Sequence, residues 1–183
     1  LLSNPFGINV MAKQALETGR YDEAGRHLKN AENYPPNLGE GKLPGVQEND
    51  IFYLKGLVLE KTGQSAVATL YFELAARGIS EPVQAVFYND PQPDKIFYQG
   101  LAWRKLNQPA KAEEIFRKLI EFGNQHLDDE IMIDYFAVSL PDLLVFDVDL
   151  NLRNRIHCLY MMALGYLGLG SETEASELFG RVL

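Results

Sequence analysis

The sequence predicts an all-α protein, an α-α superhelix of four helical hairpins with an extra helical insertion between the third and fourth hairpins. Three observations lead to this fold class. Apolar residues recur with the spacing of one helix face, small residues recur at equivalent places in four segments, and turn-forming residues divide each segment into two halves. A composition that is 46% hydrophobic and 23% charged is typical of a folded globular protein.

Small side chains fix the register of the four segments. In the stretches IFYLKGLVLEKTG and IFYQGLAWRKLNQ, aligning the glycines of the two first helices also aligns the phenylalanines of the two second helices, whereas aligning the IFY triplets does not. Small residues in both helices of a hairpin allow the two helices to approach closely. The four pairs of small residues are Ala12 with Ala24, Gly56 with Ala68, Gly100 with Ala112, and Ala163 with Ala175.

The four predicted hairpins follow one another along the chain. They are expected at about 5–38, 49–82, 93–126 and 156–183, in a single domain that covers 1–183. The turns TGRYDEA, TGQSAVA, LNQPAKA and LGSETEA supply glycine or asparagine to end each first helix, and proline or serine suits the start of the next. Glycine and proline in the connections after the first two hairpins predict loops there.

The insertion at 127–155 differs from those connections because it is too apolar for a loop. It contains Tyr135, Phe136 and the run LLVF at 143–146, and these side chains need to be covered. We therefore expect an extra helix near 128–138, which ends before Pro141 and packs on the hairpins.

The four hairpins resemble the tetratricopeptide repeat, a unit of about 34 residues with the pattern W-x2-L-G-x2-Y, then A-x3-F, then P. The chain departs from that family in the spacing of its units, because the equivalent small residues lie at 12, 56, 100 and 163. The third and fourth hairpins with the insertion also resemble the carboxy-terminal repeat region of large bacterial proteins with a galactose-mutarotase-like amino-terminal domain. That second resemblance implies a fragment of a larger protein connected with carbohydrate.

The resemblance to tetratricopeptide repeats implies a concave groove lined by the first helices. Two positions of each unit face this groove in the register of the repeat: Asn9, Lys13, Tyr53, Leu57, Phe97, Leu101, Tyr160 and Leu164. Family members that grip the carboxylate end of chaperone tails carry Lys, Asn and Arg along these helices, whereas the residues here are largely aromatic or aliphatic. We expect the groove to bind an apolar helical segment or a neighbouring domain. The alternative is that these residues pack against the next hairpin or the insertion.

Charge and cysteine content narrow the class of partner. A net charge of −8 predicts repulsion from nucleic acid and from anionic membranes. The sequence has neither a long apolar span nor a signal-like start, and its single cysteine, Cys158, can form no internal disulfide. We therefore expect a cytoplasmic protein whose partner is a protein, a peptide or another domain of the same chain. Because the pattern stops within a hairpin at Leu183, self-association through that end is also expected.

The residues that could carry chemistry do not form a recognisable site. The three histidines, His27, His126 and His157, lie in different hairpins and lack the spacing of zinc ligands. No nucleophile motif and no phosphate-binding glycine loop occurs. The sequence therefore predicts no catalytic residue, no metal site and no cofactor.

One acidic run imitates the start of a calcium-binding loop. Asp147, Asp149 and Asn151 match its first ligands, but the glycine and glutamate that complete such a loop are missing. Capping of the helix that runs to Leu167, by Asp147 or Asp149, is the simpler explanation.

The sequence thus favours a non-enzymatic interaction module or scaffold. The alternative is an accessory region of a carbohydrate-binding or carbohydrate-processing protein, in which an aromatic residue such as Tyr88 or Trp103 stacks on a sugar. Trp103 also occupies a packing position of its helix, which favours a structural role for that residue.

Overall fold

The computed structural model of the protein describes residues 5–32, 46–84, 92–131 and 149–182. Over these ranges it contains eight α-helices and no strand, so the predicted all-α class is confirmed. The helices are α1 (Pro5–Glu17), α2 (Tyr21–Ala31), α3 (Asn49–Lys61), α4 (Ser65–Ala75), α5 (Pro93–Lys105), α6 (Pro109–His126), α7 (Leu150–Leu169) and α8 (Glu172–Val182). None of these helices is both long and apolar enough to cross a membrane.

The helices pack in consecutive pairs: α1 with α2, α3 with α4, α5 with α6, and α7 with α8. The first helices of successive pairs also touch, since α1 contacts α3, α3 contacts α5, and α5 contacts α7. Each second helix of the first three pairs packs against the first helix of the next pair. The first helices therefore form a continuous row.

A left-handed residue ends the first helix of every pair. These residues are Gly19, Gly63, Asn107 and Gly170, with φ between 57° and 85°. Glycine adopts this conformation without steric cost, and asparagine tolerates it. The next amide then donates to a carbonyl of the last helical turn, as Arg20 N does to Ala15 O at 2.8 Å. The predicted role of glycine and asparagine in these turns is confirmed.

The eight small residues that set the register are all buried. The reason is clearest in the second and third pairs, where a β-carbon at Gly56 would overlap the ring of Phe72 and one at Gly100 would overlap the ring of Phe116. Each of these rings fills the space that its glycine leaves open. In the fourth pair the equivalent Phe179 is only half-buried, and its neighbour Leu178 is buried instead.

A second set of glycines brings α6 against α7, and the sequence analysis missed it. A β-carbon at Gly165 would lie 2.6 Å from the carbonyl oxygen of Phe116, and one at Gly123 would lie 2.7 Å from that of Cys158. A β-carbon at Gly168 would overlap the ring of Phe116. The two longest helices therefore pack almost backbone to backbone.

Buried side-chain amides donate hydrogen bonds to carbonyls at, or just after, the ends of the second helices. Asn49 Nδ2 donates to Ala75 O at 2.8 Å, and Gln99 Nε2 donates to Arg77 O at 3.1 Å. In the last pair, Asn154 Nδ2 donates to His126 O at 2.7 Å. These bonds satisfy carbonyls that a helix end leaves without a partner, and they tie each of these second helices to a first helix.

The described part of the predicted insertion differs from expectation. Helix α7 begins at Leu150, inside the segment 127–155 that the sequence analysis assigned to the insertion. Asp149 Oδ1 accepts hydrogen bonds from the amides of Asn151 and Leu152, both at 3.0 Å, so capping by Asp149 is confirmed. The predicted helix near 128–138 is not formed at its start, because residues 127–131 are not helical. The rest of that segment and Asp147 lie outside the described residues.

Candidate binding groove

The predicted groove residues all lie on first helices. Asn9 and Leu164 are buried, whereas Lys13, Tyr53, Leu57, Phe97, Leu101 and Tyr160 are half-buried. Leu164 belongs to the hydrophobic cluster with Ile96, Cys158 and Met161, so it contributes to the core and not to an accessible surface.

Aromatic rings run along the first helices of the last three pairs and connect the second pair to the third. The ring centroids of Tyr53 and Tyr98 lie 5.5 Å apart, and those of Tyr98 and Phe97 lie 5.8 Å apart. Tyr98 was missed because it occupies a position where the other hairpins carry Val10, Leu54 and Met161. The signal that could have identified Tyr98 is that it is aromatic, whereas the equivalent residues of the other three hairpins are not.

Each predicted groove ring also packs on the second helix of its own pair. Tyr53 lies 5.7 Å from Phe72, Phe97 lies 5.7 Å from Phe116, and Tyr160 lies 6.0 Å from Phe179. Packing inside each hairpin therefore covers one side of each ring. Partial exposure leaves the remainder at the surface of the first helices.

Two polar residues of the predicted groove bind other hairpins of the same chain. Asn9 Nδ2 donates to Asp50 Oδ2 at 2.7 Å, and Lys95 Nζ lies 2.6 Å from Asp50 Oδ1 as an ion pair. Asp50 is 5% exposed, so its carboxylate depends on these partners. Lys13 Nζ lies 5.3 Å from the centroid of the Tyr98 ring, within the range of a cation–π contact. Asn9 and Lys13 thus join the first pair to the second and third.

Burial and nearby carboxylates shift the titration of the tyrosines. Burial, with smaller contributions from Tyr98 and Glu60, raises the pKa of Tyr53 to about 12. The pKa of Tyr98 is raised mainly by burial, with smaller contributions from Asp50 and Asp94. The pKa of Tyr160 is raised by burial, then by Asp94. All three phenols therefore stay protonated at neutral pH and present uncharged rings.

This shift predicts a loss of stability in alkaline solution. An unfolded tyrosine loses its proton near pH 10, whereas folded Tyr53 keeps it until about pH 12. The unfolded chain therefore binds fewer protons between these values, and the free energy of unfolding falls as the pH rises from 10 to 12. Urea unfolding at several pH values will measure this slope. The Tyr53→Phe variant should show a shallower slope, and an identical slope would contradict the assignment.

His126, His157 and Cys158, on α6 and α7, contact or lie buried among other groups of the same chain. His126 Nδ1 lies 2.6 Å from Asp129 Oδ2, and His157 Nε2 bonds to Val83 O at 2.8 Å. The Cys158 thiol is buried, and burial raises its pKa to about 11, so it is not an activated nucleophile at neutral pH. Within the described ranges, no group of three or more His, Cys, Asp or Glu side chains could hold a metal ion.

Trp103, one of the two candidate sugar-stacking residues, packs against other residues of the chain. Trp103 is half-buried against the hydrophobic cluster around Ile96, and Lys111 Nζ lies 4.2 Å from the centroid of its ring. The contact with this cluster favours the structural role of Trp103. Tyr88 lies outside the described residues.

Helix pairs in register, close contacts at small residues and a continuous row of first helices define the class of α-α repeat proteins. A family model described as a tetratricopeptide repeat matches residues 96–121, which begin in α5 and end in α6. A search of the solved structures found no significant match. Tetratricopeptide repeats generally mediate protein–protein contacts and are not enzymes, so the match supports a protein-binding or scaffold role.

Proposed function

We propose that residues 1–183 form a single non-enzymatic repeat domain that binds an apolar helical segment along its first helices. The segment belongs to a partner protein or to a neighbouring domain. The row of half-buried rings formed by Tyr53, Phe97, Tyr98 and Tyr160 carries this proposal. Aromatic side chains provide large contact areas with few rotatable bonds, and an amphipathic helix in a groove uses such anchors.

The charges beside these rings favour a partner with an uncharged contact face. Asp50 is paired with Lys95, and Glu60 is paired with Lys105 at 2.5 Å. This pairing inside the chain reduces the attraction of these two carboxylates for a strongly charged ligand. The main favourable contribution would be burial of apolar surface, at roughly 25 cal/mol for each square ångström removed from water.

Leu101 offers the most selective test of this proposal. It is half-buried on α5 and lies outside the core clusters formed by the described residues. A designed amphipathic helical peptide with leucines at i, i+3, i+4 and i+7 serves as the ligand. The Leu101→Glu variant should bind this peptide at least about tenfold more weakly than the unchanged protein, because the bound peptide would bury the new carboxylate. Isothermal titration calorimetry will measure both affinities.

The control is Glu114→Gln, because Glu114 lies exposed on α6, away from the row of first helices. It should bind the peptide as the unchanged protein does. Alanine at both Tyr53 and Phe97 should also weaken binding, with thermal unfolding as the check on folding because these rings pack on Phe72 and Phe116. Equal affinity of Leu101→Glu and the unchanged protein, or no binding by either, would remove the proposal.

A further inference from the structure

Three side-chain amides bind the turn that follows α4. Asn49 Nδ2 and Gln99 Nε2 both donate to the carbonyl oxygen of Arg77, at 2.7 Å and 3.1 Å. Gln99 Nε2 also donates to Ile79 O at 3.1 Å, and Gln47 Oε1 accepts a hydrogen bond from the backbone amide of Ile79. Gln47 precedes α3, Asn49 begins α3 and Gln99 lies in α5. We call these three residues the amide cluster, and it lies where the second hairpin meets the third.

These bonds leave one polar atom of each amide without a partner among the described residues. The three atoms are Gln47 Nε2, Asn49 Oδ1 and Gln99 Oε1, and all of them are shielded from solvent. The existing bonds fix the orientation of each amide, because reversing Asn49 or Gln99 would aim an amide oxygen at a carbonyl oxygen. Reversing Gln47 would likewise aim an NH2 group at the backbone amide of Ile79. The cluster therefore presents one donor and two acceptors, and buried polar atoms are nearly always hydrogen-bonded.

The three amides are close neighbours. Asn49 and Gln99 share the carbonyl oxygen of Arg77 as an acceptor. Gln47 and Gln99 both border on Gly78, where an added β-carbon would lie 3.0 Å from Gln47 Cδ and 3.3 Å from Gln99 Nε2. Gly78 has a φ of 110°, a conformation that favours glycine, so the turn brings bare backbone against the amides.

We infer that the amide cluster binds one buried water molecule. The water donates to Asn49 Oδ1 and Gln99 Oε1 and accepts from Gln47 Nε2. Buried waters typically make about three hydrogen bonds to polar groups that otherwise lack partners, which is the number offered here. A metal ion would meet the NH2 group of Gln47, and an anion would meet two amide oxygens. The mixed set of donor and acceptors therefore selects a small neutral molecule that can both donate and accept.

This water connects two hairpins of the chain. Gln47 and Asn49 lie at the start of the second hairpin, and Gln99 lies in the third. Since the atoms that bind the water are shielded from solvent, the water leaves only when the hairpins separate around this turn. Its residence time should therefore be much longer than that of water on the protein surface.

Magnetisation transfer from water to the side-chain amide protons tests this inference. In the unchanged, isotope-labelled protein, nuclear Overhauser cross-peaks to water should appear at the NH2 groups of the amide cluster, with the sign that a long-lived complex gives. A rotating-frame experiment separates these cross-peaks from proton exchange, which has the opposite sign. Gln125 provides an internal control, because it is exposed on α6 and should show only the weak signal of surface water.

One variant and a matched control connect the signal to the cluster. Gln47→Met keeps the length of the side chain but removes the NH2 donor. The water cross-peaks of Asn49 and Gln99 should then fall at least about twofold, because the water would lose one of its partners. Gln125→Met, on the exposed face of α6, should leave these cross-peaks unchanged. Circular dichroism checks that both variants keep their helices.

Two results would overturn the inference. The first is that Asn49 and Gln99 in the unchanged protein show no more transfer from water than Gln125 does, and this comparison does not depend on any variant. The second is that the cross-peaks stay equally strong in folded Gln47→Met, which would place the water at other atoms.

Discussion

Replacing Phe116 by alanine should lower the free energy of unfolding by about 3 to 5 kcal/mol, the range for a fully buried phenylalanine. The ring is 0% exposed and fills the spaces left by Gly100 and Gly168. The Phe116 ring also packs on Phe97. The guanidinium carbon of Arg104 lies 4.9 Å from the centroid of the Phe116 ring. Removing this ring would leave a cavity where α5, α6 and α7 meet. Urea unfolding followed by circular dichroism will measure the loss.

Phe179 provides the matched control for this prediction. It occupies the equivalent position in the fourth pair but is only half-buried. Phe179→Ala should therefore cost less than half as much as Phe116→Ala, since less apolar surface returns to water. Equal losses would show that the glycine-lined site around Phe116 has no special importance.

Replacing Gly165 by alanine should destabilise the protein by about 1 to 3 kcal/mol, as expected for a methyl group forced into a packed interface. The added β-carbon would lie 2.6 Å from the carbonyl oxygen of Phe116. A backbone atom cannot rotate away as a side chain can, so α7 would have to move away from α6. The midpoint of urea unfolding should fall accordingly.

The same substitution elsewhere should have the opposite sign. Gly180 lies in α8, and a β-carbon there would meet no other heavy atom within 4 Å. Gly180→Ala should therefore stabilise the protein by about 0.5 to 1 kcal/mol, because alanine is the better helix former. If both variants shifted stability in the same direction, the close approach of α6 and α7 would not be the cause.

The helix pairs could be predicted because their signals recur along the sequence. Gly56 and Gly100 stand in the same relation to Phe72 and Phe116, so one register explained both hairpins. The left-handed residues of the turns recur in all four hairpins. By contrast, Gly165 lies at a contact between successive pairs where the equivalent residues of α3 and α5 are Val58 and Ala102. A search for repeats does not detect a glycine that occurs at this position once.

The groove positions could be placed on the first helices, but their partners could not be predicted. The register of the repeat identified Asn9 and Lys13 as surface candidates. Their contacts with Asp50 and Tyr98 depend on how one hairpin crosses the next, which periodicity within a hairpin does not encode. Leu164 is buried for a related reason, since α7 packs on α5, α6 and α8 and leaves little of its surface free.

The carboxylate of Asp50 bears on how the chain loses its structure. Asp50 belongs to α3. Its carboxylate accepts a hydrogen bond from Asn9 of α1 and forms an ion pair with Lys95 of α5. If the first hairpin frayed, the carboxylate of Asp50 would lose its amide donor. This loss would destabilise the hairpins that remained folded. The first three hairpins should therefore melt as one cooperative unit, unlike repeat arrays that open one unit at a time from their ends.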